Sequence, residues 1–150
     1  MRIFESIDDL QRAVGDELGA SRWRTVDQEQ ITDFAAITDD EQWIHVDQHR
    51  AAHGPFGSTI AHGYLLLALV PSLLAEVLRI DSMTMVVNYG LDRVRFPSPV
   101  PSGSRIRATA SLAAIESTAS GHRLTVQVAI EADGSKKPSC VADALMLVVP

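Results

Sequence analysis

Residues 63–79 read GYLLLALVPSLLAEVLR, and this stretch decides the fold that the sequence predicts. Leucine, alanine and valine occupy nearly every side of the helix that these residues would form, and a helix that is apolar all round is a buried helix. Pro71 removes one backbone hydrogen bond and is expected to kink this helix. The rest of the chain must therefore supply the surfaces that enclose it.

The second half of the chain supplies these surfaces as strands, because apolar residues alternate there with polar or small ones. Strands are predicted over residues 83–89, 91–96, 106–112, 124–130 and 141–149, with Gly90 as a bulge and turns at Ser120–Gly121 and Asp133–Gly134. Long strands joined by short turns indicate an antiparallel meander with one buried face. We therefore expect an α+β fold, a sheet curled around one long helix, in a single domain over residues 1–150.

Two further helices are predicted before the middle of the chain. The first has apolar residues at helical spacing, namely Ile7, Leu10, Val14 and Leu18. Ser6 can cap its start and Gly19 can end it. The second begins at the capping pair Asp27 and Gln30 and stops near Thr38. A short strand over residues 22–26 and a helical turn over residues 50–52 complete the prediction.

Composition excludes several classes of protein. The 150 residues carry a net charge of −6, which argues against nonspecific binding to nucleic acid. The single cysteine, Cys140, excludes an internal disulfide and a cysteine-based zinc cluster. The first ten residues, MRIFESIDDL, lack the uninterrupted apolar run of a signal peptide. The longest apolar run, residues 64–70, falls well short of the roughly 20 residues of a membrane span. A cytoplasmic protein without a membrane partner is expected.

Acid, imidazole and glycine are concentrated in residues 39–64, which read DDEQWIHVDQHRAAHGPFGSTIAHGY. Carboxylate and imidazole together are a common acid–base pair. Asp40 and His45 would point about 140° apart on a continuous helix, so they converge only if residues 41–44 form a turn. The alternative is a surface aspartate at a helix end and a histidine packed beside Trp43.

Gly63 opens the long apolar helix. Its N–H is one of the unpaired donors at a helix start, where the helix dipole favours negative charge. Such a donor can stabilise an oxygen that becomes negative during a reaction. The alternative is a glycine required for close packing or a tight turn.

A metal site is the rival interpretation of the same segment. His45, Asp47 and His49 have the spacing H-x-D-x-H, and imidazole with carboxylate can bind zinc or iron. Asp47 and His49 also look like the start of a surface turn, and we expect neither a catalytic metal nor a cofactor. The sequence contains no P-loop, no dinucleotide-binding G-x-G-x-x-G and no G-x-S-x-G nucleophile motif.

Three segments resemble one enzyme family. DEQWIHVD at residues 40–47, GPFGSTIAHGYLLLAL at residues 54–69 and NYGLDRVRFPSPVPSGSRIR at residues 88–107 are similar to the MaoC-like dehydratases, or (R)-specific enoyl-CoA hydratases. Within that family they look most like the nodulation-protein-N-like branch. The resemblance spans roughly residues 28–149, and separate motifs in the right order make it specific.

The resemblance implies a hot-dog fold and the reversible hydration of trans-2-enoyl-CoA to (R)-3-hydroxyacyl-CoA. By matching positions, Asp40 and His45 take the catalytic places that activate water, and Gly63 takes the oxyanion place. Contacts with the substrate are assigned to Gln42, Trp43, Gly57, His62, Tyr64, Asn88, Tyr89 and Arg93. The chain departs from the wider family at Gln42–Trp43, where asparagine and proline are usual, so the turn and the acyl-chain preference do not carry over.

The resemblance also implies a homodimer joined through the sheets, with the sites near the interface. An isolated curled sheet leaves an apolar edge and face, which points the same way. Four arginines on extended segments, Arg93, Arg95, Arg105 and Arg107, could meet the phosphates of CoA or form a solvated face. The alternatives to a hydratase are a hot-dog acyl-CoA thioesterase and a non-catalytic acyl-CoA-binding protein, because a fold does not determine a function.

Overall fold

A computed structural model describes all residues of the chain, 1–150. In chain order the elements are β1 (Arg2–Phe4), α1 (Ile7–Arg12), β2 (Glu17–Ala20), β3 (Arg24–Val26), α2 (Gln28–Thr38), α3 (Trp43–Val46), α4 (Gln48–Ala52), α5 (Gly63–Leu74), β4 (Leu78–Ile80), β5 (Met85–Arg95), β6 (Ser104–Thr118), β7 (Gly121–Ala132) and β8 (Cys140–Val149). None of the helices combines the length and the apolar character that crossing a lipid bilayer requires.

One antiparallel sheet dominates the structure. Its strands lie in the order β2-β6-β7-β8-β5, and β3 also pairs with β6. Strands β6, β7 and β8 pair in chain order, as the predicted meander requires. Strand β5 comes before them in the chain but pairs with β8 and not with β6. The register between β5 and β8 shifts between Asn88 and Gly90, which confirms the predicted bulge at Gly90.

Helix α5 packs against one face of this sheet. Its buried side chains are Leu65, Leu66, Val70, Leu73 and Leu74. They join a single core with the inward-facing residues of the strands, namely Ala108, Ala110, Leu112, Leu124, Val126, Val128 and Ile130. The period-two pattern of the strands and the apolar helix thus meet as predicted, and the α+β hot-dog architecture is confirmed.

The first helix is shorter than the sequence predicts. It begins at the predicted cap, where the Ser6 side chain accepts a hydrogen bond from the Asp9 N–H, but it ends at Arg12. Gly15 has a φ of 94°, in the left-handed region, and its N–H donates to the Leu112 carbonyl. Leu18 is therefore a buried residue of strand β2 and not of the helix. The predicted apolar series thus belongs to two elements, α1 and β2. The prediction was too long because the helical spacing of apolar residues continues across the turn between them.

The central helix also ends early. It was expected to reach about Arg79, but α5 stops at Leu74, and β4 then pairs in parallel with β1. The expectation of a helix enclosed on all sides is not met in the isolated chain. One face of α5 is exposed, and this face consists of Tyr64, Ala68, Pro71 and Ser72.

Strand β5 forms an open edge of the sheet beside that exposed face. It pairs with β8 on one side only. Several of its large apolar side chains are exposed, namely Met85, Val86, Val87, Tyr89 and Leu91. Unpaired, apolar strand edges are usually covered in native proteins. This edge and the exposed face of α5 together form one uncovered apolar strip.

Candidate active site

The end of α2 sets the position of Asp40. Asp39 caps the helix in the left-handed conformation, with a φ of 56°, which aspartate tolerates better than most residues. The Asp40 N–H donates to the Ala35 carbonyl at 3.1 Å, so its backbone stays tied to the helix while the chain reverses. The carboxylate is exposed and projects from this reversal.

His45 lies in the single helical turn α3, which supplies the turn that convergence with Asp40 required. Its N–H donates to the Gln42 carbonyl at 2.9 Å, and its carbonyl accepts from the Gln28 side-chain amide at 2.8 Å. The His45 residue is only 6% exposed. Nitrogen and oxygen atoms of Asp40, His45 and His62 all lie within 4.8 Å of one another, so the predicted pair belongs to a three-residue cluster.

Hydrogen bonding determines which nitrogen of His45 is free to react. Its Nδ1 lies 2.7 Å from the Ile60 carbonyl, which can only accept, so Nδ1 carries the proton and Nε2 keeps its lone pair. Burial lowers the pKa of His45, and nearby His62 lowers it further. The hydrogen bond to Ile60 and the charge of Asp40 oppose this shift. The arrangement favours a neutral imidazole with a basic Nε2.

His62 lies against both members of the predicted pair. It is 2% exposed, and its ring stacks on the ring of His45 with centroids 3.7 Å apart and 23° between the planes. Its Nε2 donates to the backbone carbonyl of Asp40 at 2.9 Å. The His62 carbonyl in turn accepts from the N–H groups of Leu65 and Leu66, which caps the start of α5.

Gly63 combines the two alternatives that the sequence left open. Its N–H has no acceptor within the protein and is thus free for a ligand. A Cβ at this position would lie 2.7–2.9 Å from ring atoms of Phe96, closer than packed atoms approach. A side chain here would have to displace the Phe96 ring, and the N–H is unpaired because it belongs to the first turn of α5, at the positive end of the helix.

The structure distributes the remaining predicted substrate contacts over several places. Gln42 and Trp43 begin the turn that holds His45, and Arg50 lies over the Trp43 ring at 4.3 Å. Gly57 adopts a φ of 71° in the loop before Thr59. Tyr64 is 68% exposed at the start of α5. Asn88 and Tyr89 lie on the edge strand β5.

Arg93 forms an ion pair with Asp143, and both line a groove on the sheet face opposite α5, with Ser111 and Gln127. Its contact with the substrate stays a prediction. Arg105 and Arg107 also pair with acids, Asp133 and Glu131, so all three guanidinium groups are ion-paired.

An apolar cleft of about 310 Å³ opens between α5 and β5, beside Tyr64. Its lining includes Leu67, Pro71, Leu74, Asn88 and Leu91. The cleft belongs to the uncovered apolar strip, so its outer wall is open in the isolated chain. No short sequence motif marks it, because its two sides come from separate elements.

The H-x-D-x-H spacing does not assemble a metal site. The Asp47 side chain accepts from the Arg50 N–H and caps α4, while His49 is exposed and lies 5.4 Å from the His53 ring. Of the three residues only His45 belongs to the cluster. The cluster itself contains suitable ligand types, but His45 Nδ1 and His62 Nε2 are already bonded to the backbone carbonyls of Ile60 and Asp40.

Sequence reasoning missed Gln28, which holds the His45 turn from α2. Its amide donates to the His45 carbonyl, and its side-chain oxygen accepts from the Thr59 hydroxyl. One side chain thus joins α2 to the turn and to the segment before α5. These partners are 17 and 31 residues away in the chain, and no local pattern signals such a bridge.

A hot-dog fold that brings an acid and an imidazole together with His62, and leaves the N–H of the next residue, Gly63, unpaired at a helix start, is suited to acid–base chemistry on a polarised carbonyl. The chain belongs to the MaoC-like domain family, whose sequence model matches residues 9–133. It is 49% identical over 150 residues to 3-hydroxyacyl-thioester dehydratase Z of Mycobacterium tuberculosis, which covers 99% of each chain.

A second relative and a solved structure are also similar to this chain. Nodulation protein N of Rhizobium leguminosarum bv. viciae is 41% identical over 146 residues, which cover 95% of this chain and 91% of that protein. The unliganded R-hydratase PhaJ1 from Pseudomonas aeruginosa superimposes with a TM-score of 0.73 over 91% of this chain and 81% of its own. At 23% identity the latter likeness shows the fold alone.

Proposed function

We propose that this protein is an (R)-specific enoyl-thioester hydratase and dehydratase that interconverts trans-2-enoyl-CoA and (R)-3-hydroxyacyl-CoA. The observation that carries the proposal is the cluster of Asp40, a neutral His45 of fixed tautomer and His62, which is followed directly in the chain by Gly63 with its unpaired N–H. Membership in the MaoC-like family and the 49% identity to a named 3-hydroxyacyl-thioester dehydratase support it.

Gly63 acts on the thioester carbonyl. The carbonyl withdraws electrons from the conjugated double bond, so C3 of the substrate is electrophilic. Attack at C3 moves negative charge onto the thioester oxygen. The free N–H of Gly63 donates a hydrogen bond to that oxygen, and one well-placed donor of this kind is commonly worth about 3–4 kcal/mol in the transition state.

His45 and Asp40 move the proton. Nε2 of His45 takes a proton from water as the water oxygen bonds to C3. The proton passes from His45 to Asp40, and Asp40 delivers it to C2 of the enolate. The substrate gains OH at C3 and H at C2, and both side chains return to their starting states. Dehydration uses the same steps in reverse.

The pH dependence follows from the lowered pKa of His45. A base acts only when it is unprotonated, so kcat/KM should rise with pH through a midpoint below about 6.5, the ordinary value for histidine. Stability should follow the same direction. The unfolded chain takes up the His45 proton first on acidification, so the stabilising contribution present above pH 6.5 is lost below it. Initial rates and melting temperatures measured between pH 5 and 8 check both, and a midpoint above the ordinary histidine value would contradict the role of the buried ring.

We propose a homodimer that covers the apolar strip formed by β5 and the exposed face of α5. Val86 lies on β5 and lines a cleft with Pro71 and Leu74, so Val86→Lys should place a charge in the interface. Sedimentation velocity at micromolar concentration should show a dimer for the unmodified chain and a monomer for this variant. Ile37→Lys is the matched control, because Ile37 is also an exposed apolar residue, at 82%, but lies on α2. A monomeric unmodified chain would contradict the proposal.

A spectrophotometric assay tests the function. Loss of enoyl absorbance is measured for trans-2-enoyl-CoA substrates of increasing chain length, with a chelator present, and release of free CoA thiol is measured in parallel. We expect hydration without thiol release at one or more chain lengths. Thiol release without hydration would identify a thioesterase, and binding without either reaction would identify a non-catalytic acyl-CoA-binding protein.

A further inference from the structure

We infer that His62 is a positioning residue of this site, whose buried ring holds the Asp40 backbone and covers one face of His45 without touching the substrate. The inference rests on the proposed function for its kinetic consequences, whereas the arrangement of the two rings can be tested independently of activity.

His62 holds the backbone of Asp40 in place. Asp40 follows the left-handed Asp39, so the hydrogen-bonding pattern of α2 no longer supplies a partner for its carbonyl. His62 supplies that partner through Nε2, at 2.9 Å, while the Asp40 N–H remains bonded to Ala35. The backbone of Asp40 is thus tied at both ends although its carboxylate is exposed. Replacing the His62 donor would release one of these ties.

His62 also covers one face of the His45 ring. The two rings stack at 3.7 Å, and the ring of Phe34 lies on His62 at 5.0 Å with a tilt of 59°. The Ile60 carbonyl holds one edge of the His45 ring. The titratable groups that face His45 are Asp40 from the segment after α2 and His62 from the segment before α5. The stack keeps water from one ring face and leaves Nε2 for the reaction.

The His62 ring is too buried to reach a ligand. Only 2% of the residue is exposed, and Nε2 is already committed to Asp40. Nδ1 is buried and has no hydrogen-bonding partner in the protein. A substrate contact, as the sequence suggested, would require the ring to leave its stack. A loss of His62 should therefore lower kcat and leave KM nearly unchanged.

The same residue also joins this pair to the oxyanion donor. The carbonyl of His62 caps α5 through Leu65 and Leu66, and the next residue is Gly63. His62 therefore contacts Asp40 and His45 through its ring and holds Gly63 through its backbone. A shift of its ring would displace the acid and the base relative to the N–H that receives the thioester oxygen.

Two variants separate the two roles of the ring. His62→Phe keeps a ring for stacking and removes the donor to Asp40, whereas His62→Gln keeps an amide donor and removes the ring. Both should lower kcat at least about tenfold with KM within about threefold, since displacements near 1 Å can cost as much as 10²-fold. His62→Gln should also raise the pH midpoint of kcat/KM, because it uncovers the face of His45.

His122→Phe is the matched control. His122 lies on β7, and its Nδ1 is likewise buried without a partner, but its neighbours across the sheet are Ser117 and Val148, neither of which is a site residue. It should leave kcat and the pH profile unchanged. Undiminished kcat in both His62 variants would overturn the inference, as would a change confined to KM or an equal loss in His122→Phe.

Nuclear magnetic resonance of ¹⁵N-labelled histidines tests the arrangement of the two rings without any substrate, because it shows which ring nitrogen carries the proton. In the unmodified protein the neutral His62 should carry its proton on Nε2 and the neutral His45 on Nδ1. In folded His62→Phe the His45 signals should shift, because the stacked ring has changed. A proton on Nδ1 of His62 would overturn the inference even in an active enzyme. A protein that shows the expected tautomers and hydrates no enoyl thioester would overturn the proposed function instead.

Discussion

Asp40→Asn and His45→Gln should each lower kcat for enoyl-CoA hydration by at least about 10²-fold, and the double variant should lose little more than the worse single one. In the proposed mechanism Asp40→Asn removes the group that carries the proton to C2. His45→Gln removes the nitrogen that, in the same proposal, takes a proton from water. A loss of 10²-fold corresponds to about 2.7 kcal/mol of transition-state stabilisation. Residues that act on one proton in sequence are not additive, so the double variant tests whether they work as a unit.

Stability should change little in these variants. The Asp40 carboxylate is exposed, and glutamine at position 45 can still donate to the Ile60 carbonyl. Asp39→Asn is the control, because it lies one position away and asparagine tolerates its left-handed conformation. It should remain largely active. If Asp39 proved essential and Asp40 dispensable, the alignment of the motif on this chain would be wrong, and normal hydration by both single variants would refute the catalytic role.

The second large effect concerns Gly63. Gly63→Ala should lower both the melting temperature and kcat, because its Cβ would meet the Phe96 ring at 2.7–2.9 Å. Overpacking of this kind typically costs about 1–3 kcal/mol of stability. This variant alone does not separate packing from the role of the N–H.

A pair of double variants separates them. Phe96→Ala removes the clash, and it is combined with either Gly63→Ala or Gly63→Pro. Proline is well tolerated at the first position of a helix, and His62 has the extended ψ of 138° that a residue before proline requires. The two proteins then differ chiefly in the N–H at position 63. We expect kcat to be about 10²–10³-fold lower with proline at similar melting temperature. Equal kcat in the two would remove Gly63 from the mechanism.

Features that depend on local pattern were predictable from the sequence. The caps at Ser6 and Asp27, the bulge at Gly90 and the strands of the meander all follow from residue types at short spacing. The sequence predicted that Asp40 and His45 would converge only if the chain between them formed a turn, and α3 provides that turn. The ends of α1 and α5 were not, because tertiary pairing of β2 and β4 overrides a continuing apolar pattern.

The contacts that hold the site residues in place could not be predicted from the sequence, for a different physical reason. His62 and Asp40 are 22 residues apart, and Gln28 and Thr59 are 31 apart. Such contacts form only when separate elements pack. The sequence around His62 or Gln28 therefore does not indicate which residue it will contact. The ion pair between Arg93 and Asp143 was likewise not predictable from a local pattern, because the two residues lie on separate strands 50 residues apart.

The configuration and labelling of the product made in D₂O test the central claim most directly. If Asp40 and His45 add water across the double bond of an enoyl-CoA, the product is (R)-3-hydroxyacyl-CoA with one deuterium at C2. Chiral chromatography with mass spectrometry measures both properties in the unmodified protein. An (S) product, a product without deuterium at C2 or the release of free CoA in place of hydration would contradict the account.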